Sequence, residues 1–123
     1  MSGWDAAQLS TVGATEELEI SSYRADGSLR PFVTIWAVAV DGALYVRSAY
    51  GAENGWYRRL LASGRGRIRS GGVEVDVVPA HADGAVQSAV DAEYLRKFSH
   101  YPQIVHGIIG PAWHAVTLRL DAA

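Results

Sequence analysis

The residues best placed to bind a charged ligand surround a loop between a predicted strand and a predicted helix. The loop at 48–51 leads to Asn54, a residue type that caps helices, and the helix is predicted over Gly55–Ala62. The first backbone N–H groups of a helix are free and lie at the positive end of its dipole, so they attract anions. Arg47 and Arg58 flank the loop, and a guanidinium group can hold a phosphate through two hydrogen bonds. The pattern predicts a local anion site.

A second set of candidate residues comes from two strands that face each other. The apolar run Pro31–Val40 is typical of a central strand covered on both faces, and an Asp-Gly turn returns the chain along Ala43–Ala49. The turn fixes the register of this hairpin, with three predicted pairs: Val38 with Tyr45, Trp36 with Arg47, and Ile35 with Ser48.

The two faces of this predicted hairpin differ in character. One face suits the interior of a barrel and carries Ala37, Ala39, Leu44 and Val46. The other face carries Trp36, Val38, Tyr45 and Arg47, and it is too apolar to be left in water. We expect a second subunit, a cofactor or both to cover it, which favours a homodimer with a small-molecule groove. A helix of the same chain is the alternative.

The charge distribution argues against a nucleic-acid partner. The 123 residues carry a formal net charge of -2, with a pI of about 6.0, so the chain has no global field that would attract a polyanion. The basic run at 65–69 belongs to a hairpin predicted about Gly71-Gly72. Its register places Arg69 opposite Glu74 and Arg67 opposite Asp76, so the charges are neutralised across the ladder.

Several kinds of chemistry are absent from the sequence. The chain has no cysteine, which excludes disulfides, thiolate metal sites and thiol nucleophiles. The four histidines show neither His-x-His nor His-Glu-x-x-His spacing, so we expect no metal site. We also expect no membrane segment and a cytoplasmic location, because no apolar stretch approaches ~18 residues. No pattern selects a general acid or base, so catalytic residues stay unassigned among four candidates: Tyr45, Tyr50, Tyr94 and His100.

The remaining patterns complete a mainly β chain. Ser2 and Asp5 have capping-box spacing before a short helix that ends near Gly13. A long helix is predicted over Ala85–Ser99, where Glu93 faces Lys97 one turn on and four apolar residues share one face: Val86, Val90, Tyr94 and Phe98. Further strands are predicted at Glu17–Tyr23, Arg65–Ser70, Val73–Pro79 and Trp113–Leu120. The hairpins are too short for parallel crossovers, so we predict one domain over residues 1–123, a six-stranded antiparallel split β-barrel.

The central sequence also resembles a known group of proteins. The segment TIWAVAVDGALYVRSAYGAENGWYRRLLASGRGRIRSGGVEVDVVPA is similar to small, FMN-binding-like split-barrel proteins that bind flavin or deazaflavin, including deazaflavin-dependent nitroreductases. It resembles most an uncharacterised family within that group. The resemblance implies Arg24 and Arg30 near a cofactor phosphate, Ser48 and Gly51 in the phosphate loop, and Asn54 and Trp56 at the start of the adjoining helix. Because haem also occurs among split-barrel relatives, His100 or His106 as an axial ligand is a further alternative.

Two functional hypotheses follow. The first is an oxidoreductase that binds FMN or a deazaflavin coenzyme and transfers hydride to a small unsaturated or nitro-type organic substrate. The second is a cofactor-free protein whose groove binds a small molecule, as a sensor, a carrier or an unusual enzyme of secondary metabolism. The second stays open because Arg58–Gly64 lacks the lysine and the Asn-Leu-x-x-Asn-Pro run that many cofactor-binding relatives carry there.

Overall fold

The computed structural model describes residues 3–123, and its main feature is one antiparallel sheet with helices around it. The strands are β1 (Leu18–Ser22), β2 (Val33–Ile35), β3 (Ala37–Val40), β4 (Ala43–Arg47), β5 (Gly66–Ser70), β6 (Val73–His81) and β7 (Thr117–Ala122). The helices are α1 (Ala6–Ala14), α2 (Gly55–Ser63), α3 (Gln87–Lys97), α4 (Pro102–Val105) and α5 (Pro111–His114). None of the helices in this part of the chain is long and apolar enough to cross a membrane.

The sheet is closed by a single residue. Its strand order is β2-β1-β5-β6-β7-β4-β3, so the two edge strands are consecutive in the chain and only Trp36 separates them. Two Cα–Cα steps span no more than about 7 Å, so the two edges must meet at Trp36 and the sheet must curl into a nearly closed barrel. The predicted split barrel is therefore confirmed, with seven strands instead of six. The expectation of one central strand over Pro31–Val40 is wrong, because the chain changes edges at Trp36.

The two predicted hairpins form, with changes at their ends. Val38 pairs with Tyr45 as expected, but the predicted pairs of Trp36 with Arg47 and of Ile35 with Ser48 do not form, because β3 begins only at Ala37.

The hairpin of β5 and β6 has the predicted register but a different set of ion pairs. Arg67 lies opposite Asp76, and Arg69 lies opposite Glu74. Arg67 bonds both Glu74 at 2.7 Å and Asp76 at 2.9 Å, whereas Arg69 turns to Glu19 of β1 at 3.0 Å. The basic run is neutralised within the sheet, as the sequence predicts.

The inner face of the barrel holds the main core. Its buried members on the strands come from six of them and are Leu18, Ile20, Ala37, Leu44, Val46, Ile68, Val77, Leu118 and Leu120. Ala39 packs against this cluster, so the predicted interior face of the first hairpin is confirmed. Helix α1 closes one side through Leu9 and Val12. Asp5 caps α1 by accepting a hydrogen bond from the N–H of Ala7 at 2.9 Å, while the predicted cap Ser2 lies outside the described residues.

Helix α3 covers the outer face of β3 and β4. Val90, Tyr94 and Phe98 are fully buried against Val38 and Tyr45. The alternative of a helix from the same chain is therefore correct, and the expectation that a second subunit or a cofactor covers Val38 and Tyr45 is wrong.

The same helix also fixes the corner at Trp36. The Phe98 ring stacks on Trp36 at 3.9 Å, the Tyr94 hydroxyl donates to the Trp36 carbonyl at 3.1 Å, and the Lys97 ammonium donates to the Ala37 carbonyl at 2.6 Å. The expected pairing of Glu93 with Lys97 gives way to a pair between Glu93 and Arg96. Burial lowers the pKa of Lys97 to about 8, because the ammonium loses hydration.

The chain after α3 differs most from the sequence-based expectation. Residues 84–86 form a separate 3-10 turn, so α3 is shorter than the predicted Ala85–Ser99 helix. Trp113 and His114 lie in α5 rather than in a strand, because Pro111 supplies the fixed backbone angle that suits the first turn of a helix. The last strand begins at Thr117.

Replacing Phe98 tests how much the corner depends on α3. We expect Phe98→Ala to lower the free energy of unfolding by about 3–5 kcal/mol, because it removes a fully buried ring and its stack on Trp36. The matched control is Leu95→Ala on the same helix, where the side chain is 41% exposed and the expected change is below about 0.5 kcal/mol. Urea denaturation measures both, and equal effects would contradict this role of Phe98.

Candidate functional site

A groove opens where the barrel is split beside Trp36. Its main part, the Trp36 pocket, is a cavity of about 380 Å³ between β2, the loop after β4, the start of α2 and α4. Its walls are mostly apolar and include three aromatic side chains: Trp36, Tyr50 and Trp56. Asn54 and the strand edge at 33–35 supply polar groups. A cavity of this size and character suits a planar organic ligand.

The loop at 48–51 forms the floor on one side of the pocket and is held by its own hydrogen bonds. The Ser48 hydroxyl donates to the Gly51 carbonyl at 2.5 Å, and Gly51 has a positive φ of 86° that a side chain would strain. Asn54 occupies the cap position of α2, yet its side chain makes no capping hydrogen bond. The Asn54 side chain lines the pocket, and its amide has no hydrogen-bond partner within residues 3–123.

Arg47 lies in the pocket wall but is fully engaged inside the protein. It is 1% exposed, and its five N–H groups all have partners within the chain. Nε donates to Thr117 at 2.9 Å, one terminal nitrogen bonds Asp91 and the Ile108 carbonyl, and the other bonds the carbonyl and side chain of Gln87. The predicted use of Arg47 as a phosphate ligand has no free donor to support it.

Asp91 is the anion that makes the burial of Arg47 possible. Burial alone would raise the pKa of this carboxyl, but hydrogen bonds from Arg47, His114 and the Gly110 N–H outweigh it and hold the pKa below the usual range. The network ties β4 to α3 and to the segment that carries Ile108, another wall of the pocket. Arg47 and Asp91 thus shape the pocket from behind.

A second cavity, the arginine hollow, lies beyond Trp56. It has a volume of about 600 Å³ and is lined by four arginines: Arg24, Arg30, Arg59 and Arg65. Arg65 is paired with Asp76 at 2.9 Å and lies over the Tyr23 ring. Within residues 3–123, the guanidinium groups of Arg30 and Arg59 have no hydrogen-bond or ion-pair partner, so their charges are available to an anion.

A narrow cleft of about 10 Å³ lies between the two cavities. It shares Val33 and Trp56 with the Trp36 pocket, and it shares Arg30 and Arg59 with the arginine hollow. The pocket, the cleft and the hollow therefore lie next to one another along β2 and α2, and the three together are called the groove.

Gly55 makes room for one of these arginines. The Arg59 guanidinium lies over the first turn of α2, where a Cβ at position 55 would come within 2.6 Å of it. A side chain at this position would displace Arg59, so Gly55 fixes where that charge sits.

The structure brings together most, but not all, of the predicted site residues. Four border the Trp36 pocket: Trp36, Arg47, Asn54 and Trp56. Ser48 and Gly51 form the adjacent loop, while Arg24 and Arg30 lie at the other end of the groove, in the arginine hollow. Tyr45 is buried under α3, and Arg58 is exposed outside the lining of the groove.

Two residues that sequence reasoning did not select also belong to the groove, Arg59 and Ile104. Arg59 lies three residues after Trp56, so helical spacing places both on one face of α2. That spacing was the signal that could have identified Arg59 in place of Arg58. Ile104 lies in the short helix α4, which no periodic pattern marks.

No cluster of metal-binding side chains occurs among residues 3–123. His100 bonds Glu16 at 3.3 Å, and His106 is exposed after α4. Neither histidine is among the residues that line the groove.

Comparison with known proteins identifies the family and the fold. Residues 8–120 match DUF2255, a family described as an uncharacterised protein conserved in bacteria, and the chain belongs to this family. No curated protein matches the sequence.

Three solved structures illustrate the fold. An F420-H2-dependent reductase is 13% identical over 86% of this chain and 93% of its own, with a TM-score of 0.61. The haem storage protein HutZ from Vibrio cholerae is 14% identical over 95% of this chain and 86% of its own, with a TM-score of 0.63. An FAD-binding protein from Mesorhizobium loti is 16% identical over 97% of this chain and 88% of its own, also with a TM-score of 0.63. These likenesses confirm the split-barrel fold that the sequence predicts.

The network behind the pocket can be tested by pH. The pKa of Asp91 is lower in the folded chain than the ~3.9 of an unfolded aspartate, so its contribution is complete above about pH 4 and is lost as the pH falls through the folded-state value. We expect Asp91→Asn to destabilise the protein at neutral pH by up to about 3 kcal/mol and to flatten the loss of stability in acid.

Glu93→Gln is the control for this prediction, because Glu93 pairs with exposed Arg96 on the same helix. Its effect on stability should be much smaller. Denaturant unfolding between pH 2 and pH 7 gives the comparison, and an Asp91→Asn variant with an unchanged acid profile would argue against the pairing.

Proposed function

We propose that this member of the DUF2255 family is an oxidoreductase that binds a flavin or deazaflavin cofactor along the groove. The ring system would occupy the Trp36 pocket, and the anionic side chain would reach the arginine hollow. The observation that carries the proposal is that a pocket with aromatic walls lies next to Arg30 and Arg59, whose charges nothing in the described chain neutralises. The substrate would be a small unsaturated or nitro-type organic compound.

The Trp36 pocket suits a flat heteroaromatic ring. Trp36 and Trp56 supply apolar aromatic surface on which such a ring can pack. Hydrogen bonds to ring nitrogen and oxygen atoms can come from the Asn54 amide and from the outer edge of β2, which pairs with no further strand. The pocket therefore offers both the area and the directional contacts that orient a ring.

The arginine hollow suits the charged end of the same ligand. Arg65, Arg67 and Arg69, in and beside β5, each pair with a carboxylate. Arg30 and Arg59 depart from that pattern at the one place where the groove narrows. Two guanidinium groups at a constriction can grip a phosphate through charge-assisted hydrogen bonds.

In this proposal the cofactor and the protein make different contributions to the reaction. When bound, the cofactor supplies the hydride chemistry. The chain supplies orientation through Trp36 and Asn54, charge neutralisation through Arg30 and Arg59, and a rigid back wall through Arg47.

We infer that the chain forms a homodimer over the mouth of the pocket. Tyr50 is 87% exposed and Ile104 is 60% exposed, and both border the Trp36 pocket. Large apolar side chains at the rim of a groove are typical of an interface. A second copy packed on this rim would exclude water from the ring, which strengthens electrostatic interactions at the reacting atoms.

Cofactor titration with paired arginine variants tests the proposed placement. We expect FMN or the deazaflavin coenzyme to quench tryptophan fluorescence, because Trp36 and Trp56 line the pocket. Arg59→Ala should weaken binding about tenfold, the loss of one charged hydrogen bond, and Arg30→Ala should act alike. The adjacent control Arg58→Ala should leave affinity unchanged, since Arg58 lies outside the groove.

Other outcomes of this titration have distinct meanings. Riboflavin lacks the phosphate, so its affinity should not respond to Arg59→Ala. Weaker binding in Arg58→Ala but not in Arg59→Ala would indicate that the phosphate binds at the loop at 48–51 instead. Binding of neither cofactor by the wild-type protein would reject the proposal in favour of a cofactor-free protein that binds a small molecule.

Light scattering tests the proposed dimer. We expect the wild-type chain to have the mass of two copies, and Tyr50→Ser with Ile104→Ser to shift it toward one copy without unfolding, because both side chains are exposed. Leu95→Ser, on an exposed face away from the groove, is the control. A wild-type protein that stays a single copy at all concentrations would contradict the interface.

A further inference from the structure

We infer that the groove takes a cofactor whose side chain continues past its first anionic group and carries further negative charge in an extended tail. The inference rests on the proposed function and names the class of flavin-type ligand more narrowly. It distinguishes a tail such as adenosine diphosphate or a carboxylate-bearing chain from the single terminal phosphate of FMN.

The first argument is the position of the arginine pair along the groove. Arg30 and Arg59 line the narrow cleft as well as the arginine hollow. A first phosphate that follows the ring system would therefore meet them at the constriction. The hollow continues beyond this point, toward the hairpin that carries Arg24 and Gly27.

The second argument is the size of the hollow. Its volume of about 600 Å³ exceeds the 380 Å³ of the Trp36 pocket. Cavities in this range hold whole small-molecule ligands rather than one small anion. A single phosphate held at the constriction would leave most of the hollow without a ligand.

The third argument is the charge of the hollow. Its lining includes four arginines and no aspartate or glutamate, in a chain whose formal net charge is -2. Two carboxylates border it: Asp76, which Arg65 shares with Arg67 and the Tyr23 hydroxyl, and Asp26, which accepts from Ser28 and interacts with the charge of Arg24. Four guanidinium groups thus face two carboxylates, and the remaining positive charge favours a ligand that carries negative charge in the hollow.

Arg24 is the residue placed to bind the negative charge of the ligand's extended tail. One terminal nitrogen of its guanidinium bonds the Leu29 carbonyl at 2.9 Å and the Ser28 hydroxyl at 3.3 Å, which fixes the side chain across the hairpin. Its Nε and its other terminal nitrogen have no partner within residues 3–123 and remain free to donate. Arg24 therefore holds a pre-positioned donor group at the end of the groove.

Binding constants for a ligand series test the inference. The probes are riboflavin, FMN, FAD and a deazaflavin coenzyme with a carboxylated tail, titrated against the wild-type protein at fixed salt. We expect at least one of the two extended cofactors to bind about tenfold more tightly than FMN. The cofactor whose affinity exceeds that of FMN identifies the tail. FAD should bind more tightly if the hollow takes a diphosphate, and the deazaflavin should bind more tightly if it takes carboxylates.

Variants assign the gain to Arg24. Arg24→Gln keeps an amide that can donate to Leu29, so the hairpin is preserved, and it should remove the preference for the extended tail while the affinity for FMN stays unchanged. Arg58→Gln is the control and should change neither.

A second variant changes the contact between Arg59 and the first anionic group of the cofactor instead. Gly55→Ala should displace Arg59 and weaken FMN and the extended cofactors by the same factor, while α2 loses no stability because alanine favours helices.

The outcomes are distinct. Equal affinity for FMN and for both extended cofactors, or an equal loss for all ligands in Arg24→Gln, would overturn the inference and leave the proposed function standing. Binding of none of the four probes would overturn both.

Discussion

The architecture depends on one topological constraint, the single-residue link between the two edges of the sheet. β2 and β3 stand at opposite ends of the strand order, yet only Trp36 lies between them. Because so short a link cannot cross an open seven-stranded sheet, the sheet must close on itself at this corner. β2 and β4 do not pair with each other, and the Trp36 pocket lies between β2 and the loop that follows β4. The residue that closes the barrel therefore also forms a wall of its groove.

This constraint explains why the outer layer is built as it is. A strand that breaks at Trp36 leaves the carbonyls of Trp36 and Ala37 without the partners of a continuous ladder, and buried carbonyls need donors. Tyr94 and Lys97, three residues apart on α3, supply them, and Phe98 stacks on the ring between. The buried pair of Arg47 and Asp91 then ties the helix to β4. Trp36 and Arg47, two of the pocket walls, are thus anchored from the protein interior.

The sequence predicts what depends on local patterns. The turns at Asp41-Gly42 and Gly71-Gly72 set two registers correctly, and the four-residue spacing of Val90, Tyr94 and Phe98 identifies the buried face of α3. These features rest on neighbours in the chain, so a single sequence contains them.

The features that were missed depend on distant contacts. Both halves of Pro31–Val40 are apolar, so no pattern shows that the chain changes edges at Trp36. Arg47 reads as a surface cation, and its burial requires Asp91, a partner 44 residues away. Because Arg47 is buried, the positive charge at the groove is supplied by Arg30 and Arg59. These two residues are distant in the sequence, and only folding brings them together.

A crystal structure of the protein grown with FAD would test the central claim most directly. The account predicts the flavin ring in the Trp36 pocket beside Asn54, with a phosphate within hydrogen-bond distance of the Arg30 and Arg59 guanidinium groups. A ring bound elsewhere, or a phosphate held by the backbone of the loop at 48–51 with the arginine hollow empty, would contradict it.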